Sequence, residues 1–319
     1  MSKKEASIYG RRACLAVAER RPHHILRAFY SDQGPTKDLS PLLKACAQQK
    51  KPYRAVSDEE LEKLSGSKHH EGVVIFTERR ERSYLGDAIE RAVSRLDDPG
   101  VTPAVSTWVA LDDVANDHNL GAIARSLAWF GGAGLVWEGP RPQLSGAALR
   151  VAQGGAEEVE LVAVPSLTRA LEELKSKGVR VLGADQGARR SAFEVGHVGP
   201  VCWVLGNEQR GLSSEVRACC DELISIPGSG LVESMNVSVS AGILIAQSYQ
   251  AEAKPSRSAR SEPRGERAER GGERAERGGR RPGKRGGRPD RQERRPAQLD
   301  YEIVDVSRAR TSKRSGEES

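Results

Sequence analysis

Three stretches of the sequence place polar residues and glycines where a predicted buried strand ends. The first is DDVANDHNLGAIARSLAWFGG, in which Asn119 precedes an apolar helical pattern. Asparagine is a frequent N-cap residue, so Asn119 is predicted to cap this helix. At 3.6 residues per turn, Arg125 lies about 200° round the helix from the apolar Ile123. Taken alone, the stretch predicts a capped helix whose arginine points away from the core and is solvated.

The second stretch, VLGNEQRGLS, runs from a buried strand into Gly206, Asn207, Glu208 and Gly211. Glycines allow a ligand to approach the backbone closely, but an ordinary strand-to-helix turn would use the same residues. The stretch is neither G-x-G-x-x-G nor a Walker loop, so it does not support a dinucleotide or nucleoside-triphosphate fold. A nicotinamide-dependent oxidoreductase is therefore disfavoured.

The third stretch, IPGSGLVESMNVSVSAG, joins a predicted strand to a predicted helix. Pro227, Gly228 and Gly230 favour an irregular loop with free backbone groups. Ser234 and Asn236 lie where the helix begins, and either residue could cap it. The simplest interpretation of this stretch is a capped helix after a sharp loop.

The surrounding elements indicate how these stretches are brought together. From residue 104 to residue 250, short apolar runs alternate with amphipathic helical patterns, which predicts a parallel sheet covered by helices on both faces. The carboxyl ends of parallel strands share one edge, where open α/β sheets bind their ligands. The three stretches are therefore expected to lie close together at that edge.

Two further segments precede this α/β pattern. The region 7–77 contains the helical patterns ACLAVAERR and LSPLLKACAQQ and the strand-like runs ILRAFYS and GVVIFTE. We therefore expect a small α/β domain at 1–80 and a larger one at 104–250. The charged segment 81–103 is interpreted as a linker, with a helix at 86–96.

The charge of the chain is concentrated in its last segment. The whole sequence has 319 residues and a formal net charge of +6, whereas residues 251–319 alone hold 20 Lys and Arg against 13 Asp and Glu. This tail is rich in Arg and Gly and has almost no apolar residues, so we expect it to be disordered. Such segments bind single-stranded nucleic acid loosely, although a merely solubilising role explains the composition nearly as well.

Several classes of protein are disfavoured by composition. Five cysteines occur without the paired spacing of a metal site, so we expect reduced thiols and no bound metal. No stretch approaches the ~18 apolar residues of a membrane span. The sequence therefore predicts a cytoplasmic protein that does not contact a membrane.

Taken together, the three stretches resemble the motifs of the SpoU/TrmH family of RNA ribose 2′-O-methyltransferases, in the SPOUT superfamily. The residues that carry the resemblance are Asn119, Arg125, Phe130 and Gly131, then Gly206, Asn207, Glu208 and Gly211, then Ile226, Pro227, Gly230, Ser234, Met235, Asn236, Val237 and Ser238. They follow the family's order and spacing over residues 104–250. The region 7–77, with IYG near its start and HHEGVV near its end, resembles the small substrate-binding domain of many members.

The resemblance implies a fold, a cofactor and partners. The implied fold is a SPOUT-type parallel sheet with a C-terminal trefoil knot, a rare feature among proteins, after a small L30e-like α/β domain. The implied cofactor is S-adenosylmethionine, held largely by backbone groups in the knot, and the implied partners are RNA and a second copy of the chain that docks through the knot region. The expected cofactor-binding residues are Leu205, Gly206, Gly211, Ile226, Leu231 and Met235.

The resemblance also implies a catalytic set. Arg125 is the expected catalytic residue, and Asn119, Glu208, Ser234 and Asn236 are expected to position it and the ribose. A guanidinium stays protonated at neutral pH, so orienting the hydroxyl and a phosphate is physically easier for Arg125 than acting as a base. His118 is the alternative base, since histidine is a common general base, but it lies outside the family motif.

Four residues depart from the family pattern. Gly228 and Met235 replace a common methionine and a common leucine, Gln153 stands where a serine is usual, and Glu71 stands where a glutamine is usual. The expected function is S-adenosylmethionine-dependent methylation of a ribose 2′-hydroxyl in tRNA or rRNA, and the separate N-terminal domain favours rRNA. The alternative is a non-catalytic RNA-binding or ribosome-assembly protein on the same scaffold.

Overall fold

A computed structural model describes residues 5–34, 36–81, 83–96, 106–114, 116–140, 143–195 and 199–253. The tail expected at 251–319 lies, from residue 254 onward, outside the described residues. Within the described ranges, no helix combines the length and the apolar character that a membrane crossing requires.

The N-terminal region forms a four-stranded sheet in the order β1-β4-β2-β3. Strand β2 pairs with β3 in parallel and with β4 in antiparallel fashion, and β4 also pairs antiparallel with β1. The strands and helices are β1 (Glu5–Tyr9), α1 (Arg11–Arg20), β2 (Ile25–Ser31), α2 (Ser40–Gln48), β3 (Tyr53–Val56), α3 (Asp58–Ser65) and β4 (Val73–Glu78). One apolar cluster lies between this sheet and helices α1 and α2, and a second, smaller cluster includes residues of α3.

The segment interpreted as a linker contains helix α4 (Leu85–Leu96), within one residue of the predicted helix. Most of its apolar residues are buried, unlike those of a linker that makes no contact with either domain. Leu85, Ala88 and Ile89 are buried in the same apolar cluster as Trp108 of the following sheet. The structure therefore makes α4 one of the helices that cover that sheet.

The larger sheet has six parallel strands in the order β10-β8-β9-β5-β6-β7, as the alternating pattern predicts. Its elements are β5 (Thr107–Leu111), α5 (Asp117–Trp129), β6 (Gly134–Glu138), α6 (Gly146–Ala152), β7 (Glu160–Val164), α7 (Leu167–Ser176), β8 (Arg180–Ala184), β9 (Val201–Leu205), α8 (Ser214–Cys219), β10 (Glu222–Ile224) and α9 (Val237–Ala253). Helices α5, α6 and α9 cover one face, and α4, α7 and α8 cover the other.

The order of the strands creates a crevice beside β5. The chain builds outward from β5 to β7, crosses to β8, and then inserts β9 between β8 and β5, where Leu111 pairs with Leu205. Every residue of β5 and β9 is buried. In open α/β sheets, such a reversal of strand order is where ligands bind. The first and second motif stretches leave these two neighbouring strands.

Candidate active site

Asn119 occupies a different place from the predicted one. The N-cap of α5 is Asn116, whose Oδ1 accepts a hydrogen bond from the His118 backbone N–H at 2.8 Å. Asn119 lies within the helix and is only 6% exposed. Its Nδ2 donates to Glu208 Oε1 at 2.7 Å, and its Oδ1 accepts from Asn236 Nδ2 at 3.2 Å. The side chain therefore joins the first motif to the second and the third.

Asn236 has the capping role that the sequence predicts, together with a further contact. Its Oδ1 accepts from the Ser238 backbone N–H at 2.9 Å and from the Val239 N–H at 3.3 Å, at the start of α9. Its Nδ2 is thereby turned to Asn119. We call the chain of hydrogen bonds Glu208–Asn119–Asn236 the amide bridge; it connects residues 89 and 117 positions apart in the sequence.

Arg125 lies in α5 with its side chain exposed, as predicted. Over the described ranges, the structure gives this guanidinium no hydrogen bond or ion pair. The backbone beneath it is tightly held, because a Cβ added to Gly155 would lie 3.1 Å from the Arg125 Cα atom. A fixed backbone with a free guanidinium is suited to binding an anion or a hydroxyl from outside the protein.

The second motif forms a tight hairpin closed by its own backbone. Asn207 N–H donates to the Gly211 carbonyl at 3.1 Å, and Gly211 N–H donates back at 2.9 Å. A Cβ on Gly206 would lie 2.2 Å from the Gly211 carbonyl carbon, and Gly211 has a φ of +68°. Both glycines are therefore required by the hairpin itself. Glu208 is exposed within it.

Two aspartates directly after β5 hold this hairpin, and the sequence analysis missed them. Asn207 Nδ2 donates to the Asp113 carbonyl at 3.0 Å, and Arg210 forms an ion pair with the Asp113 carboxylate. Asp112 Oδ2 accepts from the Ser213 N–H at 2.6 Å. The signal was an Asp-Asp pair at the end of a buried strand, where polar side chains can reach a neighbouring loop.

The third motif leaves apolar side chains exposed in its loop. Leu231 is 88% exposed and Val232 is 75% exposed, and Met235 is also exposed. Ser234 is exposed, whereas Ile226 packs partly against the core. Neighbouring apolar side chains in solvent are typical of a surface that a ligand or another chain covers.

Other residues expected to bind the cofactor are already engaged in the fold. The Leu205 side chain is 2% exposed, and its carbonyl accepts the Asp112 N–H at 2.9 Å. Gly206 and Gly211 offer backbone in the hairpin. A Cβ at Gly228 would meet no atom within 4 Å, so its replacement of a larger residue leaves open space beside the loop.

The chain between β10 and α9 is paired with the loop that follows β8. Ser225 N–H donates to the Arg190 carbonyl at 2.8 Å, and Ala192 N–H donates to the Ser225 carbonyl at 2.8 Å. Farther along, Gln247 Nε2 donates to the Ala192 carbonyl at 3.2 Å. Two segments far apart in the sequence are therefore joined beside the third motif.

The structure gives local roles to Gln153 and Glu71. Gln153 ends α6 with a φ of +51°, and its Nε2 donates to the Arg150 carbonyl at 3.0 Å. Glu71 Oε2 accepts from the Arg11 N–H at 3.0 Å, and its Oε1 lies 3.3 Å from Arg150 Nη1. The negatively charged Glu71 thus contacts both α1, through Arg11, and α6, through Arg150.

The cysteines lie outside the three motifs. All five cysteines are free, and burial raises the pKa of the Cys220 thiol to about 11. Among the described residues, no group of three or more His, Cys, Asp or Glu side chains is arranged to hold a metal ion. A cavity of about 200 Å³ lies between Asp117 and Leu120 of α5 and Trp137 and Gln143.

Both the N-terminal region and the larger α/β region match families of known proteins. Residues 106–246 match the model of the SpoU rRNA methylase family, and residues 7–83 match that of the RNA 2′-O ribose methyltransferase substrate-binding domain. Among solved structures, a crystal structure of an RNA 2′-O ribose methyltransferase has a TM-score of 0.62 at 22% identity, over 79% of this chain and 90% of that one. The SpoU methyltransferase AviRb from Streptomyces viridochromogenes, in complex with AdoMet, has a TM-score of 0.63 at 22% identity, over 79% and 91%. These likenesses show the fold.

Relatives in sequence extend over both domains. The "Uncharacterized tRNA/rRNA methyltransferase YfiF" of Escherichia coli O157:H7 is 32% identical over 76% of this chain and 68% of its own length. An "Uncharacterized tRNA/rRNA methyltransferase" of Mycobacterium avium (strain 104) is 34% identical over 59% of each chain. The expected cofactor of the family, S-adenosylmethionine, is the one bound in the Streptomyces structure. With its motifs, its sheet order and these relatives in agreement, the chain belongs to the SpoU family of RNA methyltransferases.

Proposed function

We propose that the protein methylates a ribose 2′-hydroxyl in tRNA or rRNA with S-adenosylmethionine as the methyl donor. The observation that carries the proposal is the amide bridge. It joins the hairpin after β9 and the end of the loop after β10 to α5, the helix that carries the exposed Arg125. Because a separate N-terminal domain precedes the catalytic domain, rRNA is favoured over tRNA. Such RNA would be met in the cytoplasm, which is the location we propose.

Bound S-adenosylmethionine would supply a methyl group that is already activated for transfer. The protein must then align the 2′-oxygen and hold its proton as the oxygen becomes a nucleophile. Arg125 can donate two hydrogen bonds, one to the ribose oxygen and one to a neighbouring phosphate. Glu208, whose Oε1 is held by Asn119, has a second oxygen that can accept a hydrogen bond from the hydroxyl and take up its proton as the oxygen is methylated.

The cofactor would be held by the loops of the second and third motifs. Gly206 offers its backbone groups, and the carbonyl oxygens of Leu205 and Gly211 each have a second lone pair besides the bond they accept within the fold. Ile226, Leu231 and Met235 offer backbone and apolar side chains from the third loop. An adenosine over Leu231 and Met235 would cover apolar surface that is otherwise in water. Ser234 is proposed to contact the ribose.

Two architectural features belong to the same proposal. We propose that the chain after β10 threads the loop after β8 as a trefoil knot, which the pairing of Ser225 with Arg190 and Ala192 supports. We also propose a homodimer through α5 and α9, where Trp129 is 82% exposed and Val239 is 50% exposed. The N-terminal domain is proposed to be L30e-like and to bind RNA, and the tail is proposed to add a weak, salt-sensitive contact.

A non-catalytic RNA-binding or ribosome-assembly protein is the alternative. The intact amide bridge and Arg125 favour the enzyme, because a binding protein has no need of a methyl-donor site. A thermal shift with S-adenosylmethionine separates the two: at 100 times its dissociation constant, a ligand stabilises the native state by about 2.7 kcal/mol. The absence of any shift would favour the binding protein.

The decisive experiment is ribose-methylation mapping of total RNA from cells with and without the gene. A 2′-O-methyl mark should disappear in the deletion strain and return with the wild-type gene. Arg125→Ala should fail to restore it, whereas Arg169→Ala, the same change at an exposed position of α7, should restore it fully. An unchanged methylation map after deletion would contradict the proposed function.

A further inference from the structure

The short 3-10 turn Gly155–Glu157 lies directly against the helix that carries Arg125. A Cβ added to Gly155 would lie 3.0 Å from the Ala128 Cβ and 3.2 Å from the Ala124 carbonyl oxygen, besides its contact with the Arg125 Cα atom. Those distances leave no room for a side chain between the turn and the helix. A displacement of this turn would therefore be transmitted to the backbone of Arg125.

The other end of the same turn is held by the N-terminal domain. Arg21 Nε donates to Glu157 Oε2 at 2.9 Å, and Arg21 Nη2 donates to Oε1 at 3.1 Å. Arg80, which follows β4, forms a second ion pair with Glu157, and its Nη1 donates to the Ala156 carbonyl at 3.4 Å. One carboxylate of the catalytic domain thus binds two arginines of the N-terminal region.

Burial distinguishes this cluster from the ion pairs around it. The Glu157 side chain is 4% exposed and that of Arg21 is 10% exposed, whereas the adjacent pair Arg20–Glu158 is 54% and 41% exposed. Exposed pairs contribute little, but removing one member of a buried pair leaves a desolvated charge without its partner. Glu157 is consequently the residue on which the contact depends most.

Close packing fixes the two domains around this carboxylate. A Cβ on Gly146 would lie 2.8 Å from the Tyr9 ring, and a Cβ on Gly154 would lie 3.0 Å from the Ala16 Cβ. The Arg80 backbone N–H also donates to Oε1 of Gln143 at 3.1 Å, and Gln143 lines the cavity beside α5. The N-terminal domain therefore contacts both the turn that packs against the Arg125 backbone and a residue that lines this cavity.

We propose that Glu157 is a positioning residue, which fixes the N-terminal domain to the 3-10 turn Gly155–Glu157 and, through that turn, to the part of α5 that bears Arg125. RNA bound by the N-terminal domain then places one particular nucleotide at Arg125, because the two domains keep a fixed relative position. The proposal rests on the proposed function in that it assumes RNA bound by the first domain and methylated at the second. Glu157 itself contacts neither the RNA nor the methyl donor.

The test compares Glu157→Gln with Glu158→Gln, the same change at the exposed neighbouring pair. The full chain would be assayed with labelled S-adenosylmethionine and total RNA from the deletion strain. We expect the single-turnover rate at saturating RNA to fall about tenfold for Glu157→Gln, with the affinities for RNA and S-adenosylmethionine within about twofold of wild type. Glu158→Gln should match wild type in all three measurements.

A second readout does not depend on methyl transfer. Hydrogen exchange of the segments 20–24 and 154–158 should accelerate in Glu157→Gln and stay unchanged in Glu158→Gln. Wild-type exchange and a wild-type rate in Glu157→Gln would overturn the proposal. If Glu157→Gln does not fold, Arg21→Lys, which keeps the charge but loses the two-pronged contact, should show the same pattern. Should wild type transfer no methyl group, the proposed function fails, while the exchange data still decide whether Glu157 joins the domains.

Discussion

A carboxamide can join two polar partners because one planar group carries both a donor and an acceptor. Asn119 uses its NH2 on Glu208 and its oxygen on Asn236, so the exposed carboxylate of Glu208 is turned toward α5. An aspartate at this position would offer acceptors only, and alanine would offer neither. The identity of this one side chain therefore determines whether the three motifs remain connected.

We expect Asn119→Ala to lower the rate of methyl transfer by about 10- to 100-fold, since a hydrogen bond to a charged group is worth about 1.5–3 kcal/mol. Asn119→Asp should be worse, because it places a second carboxylate beside Glu208. The matched control is Asn116→Ala, which removes the N-cap of the same helix. It should cost about 1 kcal/mol of stability and leave the rate per folded molecule unchanged. Equal losses of rate in Asn116→Ala and Asn119→Ala would refute this role for the amide bridge.

The N-cap of α5 was predicted at Asn119 but is Asn116, because local sequence does not determine which of the two asparagines caps the helix. Asn116 and Asn119 both precede the apolar pattern of α5, and capping preference alone does not choose between them. The choice is made by Glu208, 89 residues later, which occupies the Asn119 side chain. The Asn236 cap could be predicted because its capping partners are its immediate neighbours.

At the scale of elements, the hairpin of the second motif is defined by close backbone contact. With Gly206 and Gly211 packed against each other, the hairpin presents Glu208 and its backbone groups at the tips of β5 and β9. A side chain at Gly206 would force the hairpin open, because it would meet backbone atoms of Gly211 and Leu212, whereas Gly211 is required for its φ of +68°. The loop of the third motif is different, since Gly228 faces open space.

Gly206→Ala should therefore destabilise the protein by about 1–3 kcal/mol, the usual range for overpacking, and weaken S-adenosylmethionine binding. Gly228→Ala is the matched control and should change stability by less than about 1 kcal/mol. Urea unfolding and calorimetric titration of the cofactor would measure both effects. Wild-type stability and affinity in Gly206→Ala would mean that the hairpin adapts at no cost.

Strand β10 has an electrostatic attachment that responds to pH. The hydrogen bond from Arg190 lowers the pKa of Glu222 below its usual 4.5, and the charge of Arg180 acts in the same direction. A carboxyl whose pKa is lower in the folded state stabilises that state above its unfolded pKa, and this contribution is lost as the pH falls through the folded value. The attachment of β10 is thus strongest above pH 4.5.

Glu222→Gln should reduce the free energy of unfolding at neutral pH by about 1 kcal/mol, as expected for a partly exposed ion pair. The difference from wild type should vanish in strong acid, where the wild-type carboxyl is protonated. Urea unfolding at several pH values would measure it, with Glu172→Gln on the exposed face of α7 as the control. A destabilisation that persists unchanged in acid would point to a packing defect instead.

Element prediction succeeded where the apolar pattern was strong and failed where it was weak. Five of the six parallel strands of the larger sheet could be predicted because most of their residues are apolar and buried. Strand β10 has one buried residue of three and could be predicted only from the alternation of strands and helices. Strand β3 has three exposed residues of four, and α3 reads DEELEKLS, so neither shows the pattern of a buried element. Helix α4 could be predicted as a helix, but its packing on the sheet depends on Trp108 and other residues that follow it.

At the scale of the molecule, the described chain is a single compact unit in which β1 and α1 of the N-terminal region contact α6 on the larger sheet. The sequence predicted two domains with a connecting segment, and the ionic contact that joins them could not be foreseen. Arg21, Arg80 and Glu157 are ordinary surface residue types, and only the tertiary structure removes them from water.

The exposed aromatic end of α5 gives the most direct test of the proposed dimer. Helices α5 and α9 contact each other, with the Phe130 and Tyr249 rings 5.4 Å apart, and beside them Trp129 is 82% exposed. Because removing a large apolar side chain from water stabilises the interface that covers it, Trp129→Glu should raise the dissociation constant of the proposed dimer at least tenfold, about 1.4 kcal/mol. Tyr84→Glu, at a site that is 74% exposed before α4, should leave the dimer intact. Sedimentation velocity would measure both variants, and an unaltered dimer in Trp129→Glu would place the interface elsewhere on the protein.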